Sequence, residues 1–214
     1  MHSEEEQLES IKQWWSKNGK SMIIGAVVAV AGVGGWKGWE NHQLTQAETA
    51  SQLYVELNQI VMNTTGDQRQ QQADALIERI TSNFSSSVYS DYAHLFAARL
   101  AVERDAFDEA QAHLHAALAS TKVEAIELVV RLRLARILNS QEKVEEALSI
   151  LNVADAGGFT TEFQSLRGDL LMSKGDALQA RQAYQRALDA GRAAGESTPL
   201  VEMKLDSLAA HGDA

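Results

Sequence analysis

Most of this chain carries apolar residues at the spacing of amphipathic helices, but one stretch breaks that pattern. Between Lys20 and Lys37 lie sixteen residues without a formal charge, from Ser21 to Trp36. Met22 to Gly35 contains no polar side chain. A spanning helix needs roughly 20 apolar residues, within a range near 17–25. Lys20 and Lys37 extend a short stretch, because their stems run along hydrocarbon and place the ammonium at the headgroups. Trp14 and Trp15 precede it, Trp36 and Trp39 follow it, and these are all four tryptophans. Such pairs suit the two interfaces of a bilayer. The pattern predicts a single N-terminal transmembrane helix over residues 21–39. A buried core helix would be amphipathic at its ends, and this stretch is not. Ala29-Val30-Ala31 resembles a signal cleavage site, so a cleaved leader is the competing reading. Against it, the leading region is long and carries Glu4, Glu5, Glu6 and Glu9 where a short basic stretch is expected.

Basic residues set the expected orientation. Lys12, Lys17 and Lys20 precede the span; Lys37 alone follows it before Arg69. Acidic residues count for little in this rule. The expectation is a cytoplasmic tail (1–20), the span (21–39) and an outer body (40–214), periplasmic in a bacterial inner membrane. Small residues recur on one helical face at Gly25, Ala29 and Gly32, with Gly34 and Gly38 on another. Such faces allow close helix–helix contact in lipid.

After the span the chain reads almost wholly as helix, and it repeats. Phe107 to Leu118 reappears as Val144 to Ala154 and again as Ala177 to Leu188. Ala110, Ala147 and Ala180 align, 37 and 33 residues apart. Ala98, Ala135 and Gly168 align in the preceding helices, and Asp105, Glu142 and Gly175 align at the turns. This is the tetratricopeptide arrangement, a helical hairpin of about 34 residues whose neighbours stack to bury a shared face. Small residues let paired helices approach, and the larger residue four positions after each aligned alanine fills the gap to the next unit. Gly175 suits a positive φ, and Asp176 can cap the next helix. A weaker first unit comprises a helix over Ala50–Met62, a turn over Asn63–Asp67 and a helix over Gln68–Ile80. Thr81–Ser90 reads as a loop. Gly191–Pro199 breaks the pattern, and Leu200–Leu208 reads as a capping helix. The fold class is therefore all-α: one transmembrane helix, then a tetratricopeptide-like α-solenoid with a C-terminal cap. A plain helical bundle is the alternative.

Of the formal net charge of −10, the body carries −9, since residues 41–214 hold 24 of the 29 acidic and 15 of the 19 basic residues. That balance argues against a nucleic-acid surface, which needs clustered Lys and Arg. The absence of cysteine excludes a disulfide scaffold, a Cys-ligated zinc site, a thiol nucleophile and a lipidated cysteine. His113 and His115 are two apart on one helix and face different ways. Neither a phosphate-binding G-x-x-x-x-G-K-[ST] nor a G-x-S-x-G occurs. No catalytic, metal-binding or cofactor-binding residue is identified, and the chain reads as a non-enzyme. What remains is a surface. First helices line the concave side of such a stack. They carry Tyr92, Leu95, Arg99 and Val102, then Leu132, Arg136 and Asn139, then Asp169 and Met172. Arg99 and Arg136 follow equivalent small residues and can hold carbonyls or carboxylates of a bound chain, or else pair with acids of neighbouring units.

Short runs stand out around the span at Ser10-Ile11-Lys12, Asn18-Gly19-Lys20, Gly35-Trp36, Trp39 and His42-Gln43. Others follow in the body at Ala50-Ser51, Tyr54, Arg131 to Arg136, Leu166-Arg167-Gly168 and Lys174-Gly175-Asp176. In these runs and in the order of its parts the chain resembles one family, YfgM, the ancillary subunit of the bacterial Sec translocon. A polar run at Gln68–Gln72 and a longer tail after Leu208 depart from the family pattern. The resemblance implies contact with SecYEG and with PpiD, a membrane-anchored periplasmic chaperone. It also implies help in passing translocated, still unfolded client proteins to periplasmic chaperones. The other reading of an anchored repeat body is an assembly factor for a different envelope or respiratory complex.

Overall fold

The computed structural model of the chain describes residues 4–212, and residues 1–3 of the expected tail and 213–214 of the expected body lie outside that range. The chain divides into two compact units, residues 1–49 and 50–214. Helix α1 (Glu4–Asn63) contributes to both.

In the first unit, every large apolar side chain from Met22 to Val33 is exposed, at 49% to 73%. A core helix would bury such a run. Here it awaits an apolar solvent, and the helix is long and apolar enough to cross a membrane. Trp14, Trp15, Trp36 and Trp39 are exposed on the two flanks, and the Trp36 and Trp39 rings lie 5.7 Å apart. Around Gly25 and Gly32 no neighbouring atom lies within contact distance of where a Cβ would stand, so that face is open.

The second unit begins with the end of α1 and continues as α2 (Gly66–Asn83), α3 (Val88–Glu103), α4 (Phe107–Ser120), α5 (Glu124–Ser140) and α6 (Val144–Ile150). After a short 3-10 turn (Gly157–Phe159) come α7 (Thr160–Ser173), α8 (Ala177–Ala194) and α9 (Pro199–Gly212). There is no strand among the described residues. The helices α3/α4, α5/α6 and α7/α8 are the three repeated hairpins. Ala110, Ala147 and Ala180 are all fully buried. The Gly168 site shows why small residues are needed: a Cβ there would lie within 3 Å of three Tyr184 ring atoms.

The turns repeat as closely as the helices. Asp105, Glu142 and Gly175 have φ of 58°, 62° and 85°. In each hairpin the next residue donates its N–H back to the first helix: Ala106 to Ala101, Lys143 to Leu138 and Asp176 to Leu171, each at 2.9 Å. Its carbonyl then accepts from the aligned alanine of the second helix at 3.0 Å. One residue thus ends one helix and starts the next. Only the third turn has the glycine this backbone favours. Glu142→Gly should therefore stabilise the fold by about 1 kcal/mol. Asp105→Gly should gain less, because aspartate tolerates the left-handed region better. Denaturant midpoints of the two variants check this, and a lower midpoint for Glu142→Gly counts against it.

Element ends shift from expectation where caps act. The expected loop Thr81–Ser90 shrinks because α2 runs to Asn83 and Ser87 caps α3, its side chain accepting from the Tyr89 N–H at 3.2 Å. Helix α8 runs to Ala194 and stops on Gly195 at φ 72°. Three apolar clusters fill the interior. Leu53, Leu57 and Val61 of α1 join Leu76, Ile77 and Ile80 of α2 and Leu100 of α3. A central cluster spans α3 to α7, with Leu114, Val130, Leu134 and Leu170 fully buried. The last joins Leu171, Tyr184, Leu188 and Val201, which brings in α9 as the expected cap.

Candidate functional site

Aromatic rings gather where α1 meets α3. The Tyr54 ring lies 5.4 Å from Tyr92, 5.6 Å from Tyr89 and 5.8 Å from Phe96. Tyr54, Tyr92 and Phe96 line a cavity of about 440 Å³, with Val129 of α5, Phe159, and the arginines Arg99 and Arg133. A second cavity of about 290 Å³ shares those two arginines and adds Arg136, Val102 and Ile137. A third, of about 600 Å³, shares Arg136 and is also lined by Lys204, by three carboxylates, Glu162, Asp169 and Glu196, and by Thr161 and Ser165. The shared arginines make these cavities one track across α3, α5 and α7.

The three arginines differ in how they are held. Arg99 donates from Nε to its own-helix partner Glu103 at 2.9 Å. The same carboxylate accepts from Arg69 of α2 at 2.5 Å. Burial acts to raise the Glu103 pKa, but the bond from Arg99 and the charge of Arg69 outweigh it and hold the carboxyl below its ordinary range. Arg133 donates to the Leu95 carbonyl at 3.3 Å across the helix pair. Burial lowers its pKa, and the charges of Arg136 and Arg99 push the same way. Arg136 is exposed, and no carboxylate pairs with it among the described residues.

The expected row is thus placed unevenly. Tyr92, Arg99 and Arg136 line the track. Leu132 is buried and serves the core, while Leu95 is buried and also lines the first cavity. Asn139 is half-buried and uses its carbonyl to hold the Glu142 turn at 3.0 Å. Met172 is exposed outside the three cavities. Asp169 lines the third cavity, but its carboxylate is already engaged. It accepts from the Tyr184 hydroxyl at 2.8 Å and from Lys204 Nζ at 2.6 and 2.8 Å. Several contributors escaped the sequence reading, among them Arg133, Tyr54, Phe96 and Phe159. Arg133 sits one turn before Arg136 on the same helical face, a spacing that was available as a signal. Tyr54 comes from another helix and carries no local sign.

A second polar cluster lies between α3 and α4. His94 Nδ1 and His113 Nδ1 are 3.2 Å apart, so one ring donates and the other accepts. Burial lowers the His94 pKa, and the neighbouring His113 adds to it against Asp91. Burial also lowers that of His113, helped by Arg104 and opposed by Glu109 and Asp74. Both groups thus charge more readily in the unfolded chain. The unfolded chain takes up protons first as pH falls below about 6.5, so stability should fall from there to the lowered folded values. Melting curves of the native chain and of His113→Gln between pH 7 and 5 check this, with the variant losing less on acidification. Among the described residues no group of three or more His, Asp or Glu side chains is placed to hold a metal ion.

Comparison with known proteins agrees with this architecture. A family model described as a tetratricopeptide repeat-like domain matches residues 12–210. A Haemophilus influenzae protein named ancillary SecYEG translocon subunit is 31% identical over 205 residues, covering 96% of this chain and 97% of its own. Proteins of the same name from Escherichia coli and Neisseria gonorrhoeae are 28% identical over 210 residues and 26% over 208. They cover 96% and 97% of this chain, and 97% and 98% of their own lengths. No solved structure matches. With an apolar first helix, three hairpins in one register and relatives aligned end to end, the chain belongs to the ancillary SecYEG translocon subunit family, with its tetratricopeptide repeat-like domain.

Proposed function

We propose that this chain is a non-catalytic, membrane-anchored subunit of the Sec translocon. Its first helix spans the inner membrane once, with the N-terminus cytoplasmic and the repeat body periplasmic. The body binds protein and helps pass translocated chains to periplasmic chaperones, with the membrane-anchored PpiD as its chaperone partner. The observation that carries this reading is one chain holding an exposed apolar span and a repeat body with an open track. Relatives aligned along 96% of this chain bear the translocon's name. The face of Gly25, Ala29 and Gly32 is the part of the anchor offered to a neighbouring membrane helix, since small residues allow close approach.

Two measurements test the reading. A photo-crosslinker at Val28 in living cells should capture a SecYEG subunit. Capture of a different envelope or respiratory complex would assign the chain to that assembly instead. A protease added to spheroplasts should digest residues 41–214, because Lys12, Lys17 and Lys20 hold the tail inside. Protection of the body would reverse the orientation. Recovery of PpiD with the gently solubilised full chain tests the chaperone link.

A further inference from the structure

The track across α3 and α5 has a chemical asymmetry that a generic protein-binding face does not need. One end is aromatic, with Tyr54, Tyr92, Phe96 and Phe159 around a cavity of about 440 Å³. The next stretch holds three arginines in a chain whose formal net charge is −10. Among the described residues Glu103 alone forms an ion pair with any of the three, and it is shared with Arg69. Glu162, Asp169 and Glu196 line the third cavity beside Arg136 without pairing with it. Arg136 has no acidic partner among the described residues. Like charges crowded beside an apolar wall are relieved by an anion that brings its own apolar neighbour. Guanidinium groups hold carboxylates with planar, paired bonds, while an aromatic pocket takes a bulky side chain.

We propose that this track binds an extended peptide segment in which a bulky apolar side chain is followed closely by acidic residues. The apolar side chain enters the Tyr54–Tyr92–Phe96 cavity, and the carboxylates lie against Arg133 and Arg136. The proposal rests on the reading of the body as a protein-binding module and names the kind of segment it takes. It also sets a direction: the cavities share Arg99 and Arg133, then Arg136, so the segment runs from the aromatic end to Arg136 and stops short of the third cavity, whose wall carries Glu162, Asp169 and Glu196.

The test uses the full chain in lipid nanodiscs. The probe is a fluorescein-labelled glycine-serine peptide carrying one phenylalanine followed by two glutamates. Its counterparts carry glutamines for the glutamates, or alanine for the phenylalanine. The glutamate peptide should bind roughly tenfold more tightly than either counterpart, the size expected of one or two charge-assisted bonds or one buried ring. Added salt should narrow the gap to the glutamine peptide but not to the alanine peptide. Arg136→Glu should erase the preference for glutamate. Ala125→Trp, at an exposed position in the cavity wall, should erase the preference for phenylalanine by filling the space. Both sites are exposed, so melting curves should match the parent. Equal binding of the three peptides overturns the proposal, as does unaltered binding by the folded variants. A dimer of this chain that Ala125→Trp dissociates also overturns it, by assigning the track to a second copy. The Val28 crosslink to the channel is read separately. Its loss with peptide binding intact rejects the translocon role alone, and its persistence without peptide binding rejects the track alone.

Discussion

Gly168→Ala is expected to destabilise the repeat body by roughly 1–3 kcal/mol, although it adds one methyl group. The new Cβ would fall on the Tyr184 ring. That ring cannot swing away easily: it is 3% exposed, and its hydroxyl is bonded to Asp169 at 2.8 Å. The other hairpins show the alternative. At the aligned places they carry Ala98 with Leu114 and Ala135 with Leu151, a slightly larger residue facing a smaller one. Gly168→Ala with Tyr184→Leu should therefore recover part of the loss, which additive effects would not give. Denaturant unfolding of the full chain in mild detergent measures all three. A double variant as unstable as the sum of the singles would rule out this packing as the cause.

Asp169→Ala should cost roughly 1–3 kcal/mol, above the usual value for a surface pair. Its carboxylate joins three helices: it lies on α7, accepts from Tyr184 of α8 and pairs with Lys204 of α9. Lys204 Nζ also sits 5.7 Å above the Tyr184 ring. Removing the carboxylate leaves a shielded hydroxyl and an ammonium without their partner. Lys204→Ala should lose less, because Asp169 keeps the tyrosine bond. If Asp169→Ala melts with the parent, the cap is held by Val201 and its apolar neighbours alone.

These residues show what the sequence carried. The hairpin register was legible, because a solenoid reuses one solution and the alanines at 110, 147 and 180 mark it. The turns were legible by alignment with Gly175, and the structure gives Asp105 and Glu142 the same left-handed backbone. A propensity argument alone would not place a glutamate there. Contacts between side chains on separate helices were hidden. His94 and His113 are 19 residues apart and meet only because α3 packs on α4. Asp169 read as a groove residue because its helix face was right. Nothing local announced that a lysine 35 residues later would occupy it.

The division of the interior into three apolar clusters has a dynamic consequence. Leu148 packs against both the central and the last cluster, so few side chains couple them. A body built this way does not have to open all at once, because each stretch loses chiefly its own burial and one interface. Amide hydrogens of α5, which lies within the central cluster, should exchange with deuterium most slowly. Those of α2 and α9 belong to the outer clusters and open at lower free energy. A partner gripping the track around Arg133 would then engage the most persistent part of the body, while the ends breathe around it.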